Sequence, residues 1–168
     1  GDRATVSGGY NNTSSGNSST IGGGDSSTAS GLQSTIGGGS LNNVSGENST
    51  IGGGRSNISD YADSTIGGGN TNKASGYLYG QSTVGGGKDN TASGDRATVG
   101  GGGNNTASGD YGSTVGGGYY NVASGENSTI GGGQYNTASS DDSTVGGGTT
   151  NTASGIVSTI SGGEENTA

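Results

Sequence analysis

The apolar positions of this chain follow a single rule. A lone Val or Ile recurs between Thr and a small residue, at Val6, Ile21, Ile36, Ile51, Ile66, Val84, Val99, Val115, Ile130, Val145 and Ile160. The steps between them are 15 residues, apart from one of 18 after Ile66 and one of 16 after Val99. Around this position the repeat reads Ser-Thr-Val/Ile-Gly-Gly-Gly-x-x-Asn-Thr-Ala-Ser-Gly-x-x. Thr precedes the apolar residue in every copy, and the second and third residues after it are always Gly. Six residues after it stands Asn, at Asn12, Asn42, Asn57, Asn72, Asn90, Asn105, Asn121, Asn136, Asn151 and Asn166, with Ser27 as the exception. A fixed period of this kind marks a repeat architecture, in which each unit buries its apolar side only by stacking on its neighbours.

Variation concentrates in two places, the pair after the glycine triplet and the pair after Ser-Gly. The length changes fall there too. Tyr77-Leu78-Tyr79-Gly80-Gln81 is a five-residue version of the second pair, and Asp110-Tyr111-Gly112 a three-residue version. Insertions confined to fixed points mark turns. Each repeat is therefore predicted to hold two short strands, Ser-Thr-Val/Ile-Gly and Asn-Thr-Ala-Ser, and two corners. Gly-Gly makes one corner, where a positive φ is needed, and Ser-Gly makes the other.

Strand alternation assigns the faces. Val/Ile and Ala turn inward as the structural core, and the Thr residues turn outward. The Asn of the second strand shares the inward face, where its carboxamide is expected to form a side-chain ladder from coil to coil. Coils spaced ~4.8 Å apart would give a rod about 50 Å long. The predicted fold class is all-β, a parallel β-solenoid of about eleven coils, with residues 1–168 forming a single repeat array. The chain begins and ends partway through a repeat, at Gly1 and Ala168, which reads as a segment of a longer fibrous protein.

Composition sharpens this picture. Gly accounts for 43 of 168 residues and hydrophobic residues for only 23%, against ~45–50% apolar in an ordinary domain. Low hydrophobicity alone would indicate disorder; the strict period argues for a stacked fold. So thin a core favours packing several chains around an axis, hence a homo-oligomer, a trimer or a filament. The chain has no Cys, His, Met, Trp, Phe or Pro. That removes the usual zinc, haem and iron–sulfur ligands, the thiol nucleophile and the Ser–His triad. No catalytic residue, metal or cofactor is expected, and the chain is not read as an enzyme. Thirteen acidic against five basic residues give a net charge of −8, which argues against a nucleic-acid partner. No apolar stretch approaches ~18 residues, so no membrane contact is expected in this segment.

The remaining features admit sharper readings. The glycine triplets lack the Lys-Ser/Thr and the helix of a phosphate-binding loop. Asp95, Asp110, Glu126, Asp141 and Asp142 sit in the variable turns, where they read as a solvated edge that discourages aggregation. The eight Tyr residues are the only aromatics and share no single repeat column. Tyr77, Tyr79, Tyr111, Tyr119, Tyr120 and Tyr135 are candidate binding turns, because a tyrosine ring presents both a flat apolar face and a hydroxyl. The longest turn, Tyr77 to Gln81, is the first candidate. The Thr column before Val/Ile also suits an ice-binding face. The second Thr column is broken at Asn43, Ile58, Lys73 and Val122.

The run Ser-Thr-Val-Gly-Gly-Gly-Tyr-Tyr-Asn-Val-Ala-Ser-Gly-Glu-Asn-Ser-Thr-Ile-Gly, residues 113–131, resembles the head repeats of YadA-like trimeric autotransporter adhesins. Those read roughly Ser-x-Ala-Ile-Gly-x-x-Ser-x-Ala-x-Gly-x-x, and the resemblance covers essentially the whole chain. Similar repeats occur in phage fibre proteins. The resemblance implies a left-handed β-roll, a homotrimer, and an extracellular or cell-surface location. It also implies an adhesive role toward a host-surface or matrix protein or a glycan. The period here is one residue longer, and Thr stands where that family usually has Ala. The alternatives are an ice-binding solenoid, or a self-assembling extracellular filament or phage tail fibre without a specific receptor in this segment.

Overall fold

A computed structural model describes every residue of the chain except Leu78, so the candidate turn read from Tyr77 to Gln81 lies at that one position outside the described residues. The chain is an all-β parallel β-solenoid of about ten turns. Each turn contributes two strands of two residues. The Thr-Val/Ile strands, from Thr5–Val6 to Thr159–Ile160, stack into an 11-stranded sheet. The strands from Thr13–Ser14 to Thr152–Ala153 stack into a 10-stranded sheet. Both are parallel, and each residue lies beside its own copy. β-branched Thr, Val and Ile suit this extended, half-buried backbone.

Register survives the length changes. Thr65 pairs with Thr83 across the 18-residue step, and Thr98 with Thr114 across the 16-residue step. The extra residues are absorbed at the corners, outside the ladders.

A third ladder runs along the rod. The residue just after the glycine triplet bridges to its copy in the next turn, through Lys88, Gly103, Tyr119, Gln134 and Thr149 among others. The two-strand, two-corner picture is corrected on this point: half of the first variable pair is a backbone rung. Its side chains vary because they point away from the interior, while the main chain makes the ladder.

The residue after that rung takes a left-handed conformation, as at Asn104, Tyr120 and Tyr135 (φ 55°, 54° and 55°). So does the second residue after Ser-Gly in most turns, as at Arg96 and Asn127 (φ 59° and 52°). The reversal turns the N–H around. Strand N–H groups donate to the following turn, as Thr114 does to the Ser128 carbonyl at 2.8 Å. Tyr135 instead donates back to the Tyr119 carbonyl at 3.0 Å.

Glycine is required at two of its recurring sites for different reasons. Gly102, third of its triplet, has φ 88°, and a Cβ there would overlap the Gly118 carbonyl oxygen. Gly109, of a Ser-Gly corner, has no such φ, but a Cβ would overlap the carbonyl oxygen of Gly125 in the next turn. Close stacking of main chain on main chain demands the missing side chain.

The interior is narrow. Ile21, Ile36, Ile51, Ile66, Val84, Val99, Val115, Ile130 and Val145 are fully buried against a facing column of mostly Ala, with Val44 and Ser59 as variants; Ile160 is buried too. Val6, in the first of the turns, is the exception to its assignment as core: it is 43% exposed.

Candidate functional site: the columns and the corners

The asparagine column lies inside the rod. Asn42, Asn57, Asn72, Asn90, Asn105, Asn121, Asn136 and Asn151 are buried, while Asn12 is half-buried and Asn166 exposed in the end turns. The carboxamide does more than bond to its copy. Its oxygen accepts the main-chain N–H of the next Asn, as from Asn121 to Asn105 Oδ1 at 3.0 Å. Its Nδ2 donates to two glycine carbonyls, one in its own corner and one in the next. For Asn105 these are Gly101 at 3.0 Å and Gly118 at 2.9 Å. Several steps add an amide-to-amide bond, such as Asn121 Nδ2 to Asn105 Oδ1 at 3.2 Å. A polar side chain is thus buried with its hydrogen bonds made, and it ties each glycine corner to the next.

The serine column beside it is less uniform. Ser49 Oγ donates to the Tyr61 carbonyl at 2.6 Å, but the hydroxyls of Ser113, Ser128 and Ser158 are buried without a partner among the described residues.

Outside, the first sheet presents an unbroken Thr column in register from Thr5 to Thr159. On the second sheet the outward column includes Asn43, Ile58, Lys73 and Val122. Lys73 there makes an ion pair with Asp60 at 3.7 Å.

The acidic corner residues have a local structural part. Asp141 Oδ1 accepts the Glu126 main-chain N–H at 3.1 Å, and Asp110 Oδ1 the Asp95 N–H at 3.5 Å. Each carboxylate caps the turn before it. No group of three or more acidic residues converges on a point where a cation could sit, among the described residues. No enclosed cavity is present among them either.

The candidate tyrosines separate into distinct places. Tyr77 lies 6.0 Å from Tyr61, ring centre to ring centre. Tyr79 receives the Arg96 guanidinium over its ring at 5.7 Å. Tyr111 is exposed at the Ser-Gly corner and makes no ring contact among the described residues. Tyr119, Tyr120 and Tyr135 come together. Tyr119 meets Tyr120 edge-on at 4.5 Å, and Tyr120 stacks on Tyr135 at 5.4 Å with the rings 10° from parallel. Tyr120 and Tyr135 do share a repeat position, which corrects the reading that no column holds the tyrosines together. The signal was present: each lies five residues after its apolar residue, Val115 or Ile130.

The Tyr119 phenol is pushed above its ordinary pKa of 10.0, first by desolvation and then by the neighbouring hydroxyls of Tyr120 and Tyr135.

No protein-family model matches the chain, and no curated protein matches its sequence. Fold and surface chemistry define it as a repeat protein of the parallel β-solenoid class, with an asparagine column beside its apolar interior and variable corners.

Proposed function

We propose that this chain is a stiff structural and adhesive section of an extracellular or cell-surface fibre, built as a homotrimer of left-handed rolls. The observation that carries the reading is the division of labour within each turn. The inward positions of both sheets and the outward Thr of the first are nearly constant, and sequence and length vary at corners that stand outside the two strand stacks, with register kept across both insertions. Such a rod can lengthen by adding turns and can change what it presents without disturbing what holds it up. The resemblance to trimeric adhesin head repeats agrees with this, and the thin apolar core of each turn, one Val or Ile facing in most turns one Ala, favours burial of a further face by association.

Light scattering on the folded chain tests the assembly. A mass near three times 15.8 kDa is expected; a folded monomer overturns the trimer. Attachment of particles coated with the chain to cell-surface or matrix material tests the adhesive role.

One observation favours a second reading. The Thr column from Thr5 to Thr159 is a regular hydroxyl array, which suits an ice-binding face. Thermal hysteresis would establish that reading, and its absence would remove it.

A further inference from the structure

We propose that the corner formed by Tyr119, Tyr120 and Tyr135 is a binding platform for a neutral glycan. Four successive turns build it: Gly103-Asn104, Tyr119-Tyr120, Gln134-Tyr135 and Thr149-Thr150. Their first residues are consecutive rungs of the third ladder. The side chains therefore follow one another at the strand spacing, ~4.8 Å, close to the length of a pyranose unit.

The chemistry of this strip is selective. The chain carries a net charge of −8, yet none of these eight residues is charged. On one flank Lys88 is paired with Asp89 at 3.7 Å; on the other stand Glu164 and Glu165. The strip offers aromatic rings, carboxamides and hydroxyls, the groups that stack on a sugar ring and bond its hydroxyls. An anionic polymer would meet the net negative charge of the chain. Gly103 leaves a notch that Tyr119 fills: a Cβ there would stand 3.2 Å from Cδ2 of that ring. The three tyrosines stay 43%, 44% and 51% exposed despite their mutual contacts. Half-exposed aromatic side chains of this size leave roughly 300 Å² free. A stable protein interface takes about 800 Å² from each partner, so the patch suits a few sugar units.

The assignment rests on reading the corners as the presenting surface of the fibre, and not on the number of chains. Its test uses the whole chain with cellohexaose, chitohexaose and laminarihexaose, followed by calorimetry and by tyrosine fluorescence, which no tryptophan obscures. The variant is Tyr120→Asn with Tyr135→Asn. Asn is the residue that Asn11 and Asn104 place in the same left-handed position, so the backbone is kept, and circular dichroism checks this. Binding of at least one oligosaccharide is expected, weakened about tenfold or more in the variant and unchanged by Leu41→Asn, which places Asn at the same left-handed position in a turn outside the strip. Failure of all three to bind, or binding indifferent to the double substitution, overturns the assignment. So does a drop in solution mass in the variant, which would make the patch a contact between copies. Trimer formation and attachment without oligosaccharide binding would sink the glycan site and leave the fibre standing. Tyrosine-dependent binding by a folded monomer would do the reverse.

Discussion

The main-chain N–H of Asn42 donates to the hydroxyl of Ser27 at 3.3 Å, the one step of the inward column, among the described residues, where the acceptor is not a carboxamide. Ser27 is too short to do what Asn42 does, reaching the Gly38 and Gly54 carbonyls at 3.0 Å each. Ser27→Asn is expected to restore both bonds and to stabilise the rod by about 1–2 kcal/mol. Urea unfolding followed by circular dichroism would show a higher midpoint. A lower one would mean that the asparagine column does not stabilise the corners.

Two adjacent glycines should differ sharply in their response to alanine. Gly102→Ala forces a left-handed φ on Ala and drives its Cβ into the Gly118 carbonyl; a loss of about 3 kcal/mol or more is expected. Gly101→Ala meets nothing within 4 Å and leaves its carbonyl free to accept from Asn105, so the change should be within about 0.5 kcal/mol. Equal effects in the two unfolding curves would refute the stacking account of the triplet.

The buried hydroxyl of Ser113 has no hydrogen-bond partner among the described residues, and the turn before it carries Ala97 at the same place, fully buried. Ser113→Ala should therefore raise stability by about 1 kcal/mol. Ser49→Ala removes a hydroxyl that donates to Tyr61 and accepts the Ser64 N–H at 3.1 Å, and should lower stability by about 1–2 kcal/mol. Thermal melts of the two variants should move apart.

Tyr119 should titrate above the ordinary tyrosine value of 10.0. Its folded pKa lies above the unfolded value near 10.0, so the folded state holds the phenol proton more tightly. The associated stability is complete below that value and is lost as pH rises through the higher, folded pKa. A spectrophotometric alkaline titration should show a late-ionising tyrosine, absent in Tyr119→Phe. A single unresolved transition in both proteins would contradict the cluster.

Repetition is what makes the chain legible. Each turn is a near copy of the next, so the period, the strand segments and the β-solenoid class can be read from residue types alone. Alternation does the rest: a lone Val or Ile among small polar neighbours has one face on which it can be buried.

Three things were hidden from that reading. The rung through Tyr119 and Gln134 is made by main chain, so nothing in the identity of those side chains announces it. The second bond of each asparagine runs to a glycine carbonyl one turn away, as from Asn105 to Gly118, and depends on the direction in which a corner peptide points. The left-handed residues include Thr150 and Val157, with φ 57° and 59°, which intrinsic preference disfavours. There the stack overrides it, because the N–H of Val157 must turn back to the Asp141 carbonyl at 3.0 Å. The tyrosine platform belongs between these cases. Its residues stand at fixed offsets in the chain, but contact between rings 15 residues apart exists only once one turn is laid upon another. Side-chain type and spacing set the order of the strands, and the vertical packing of peptide on peptide set the corners.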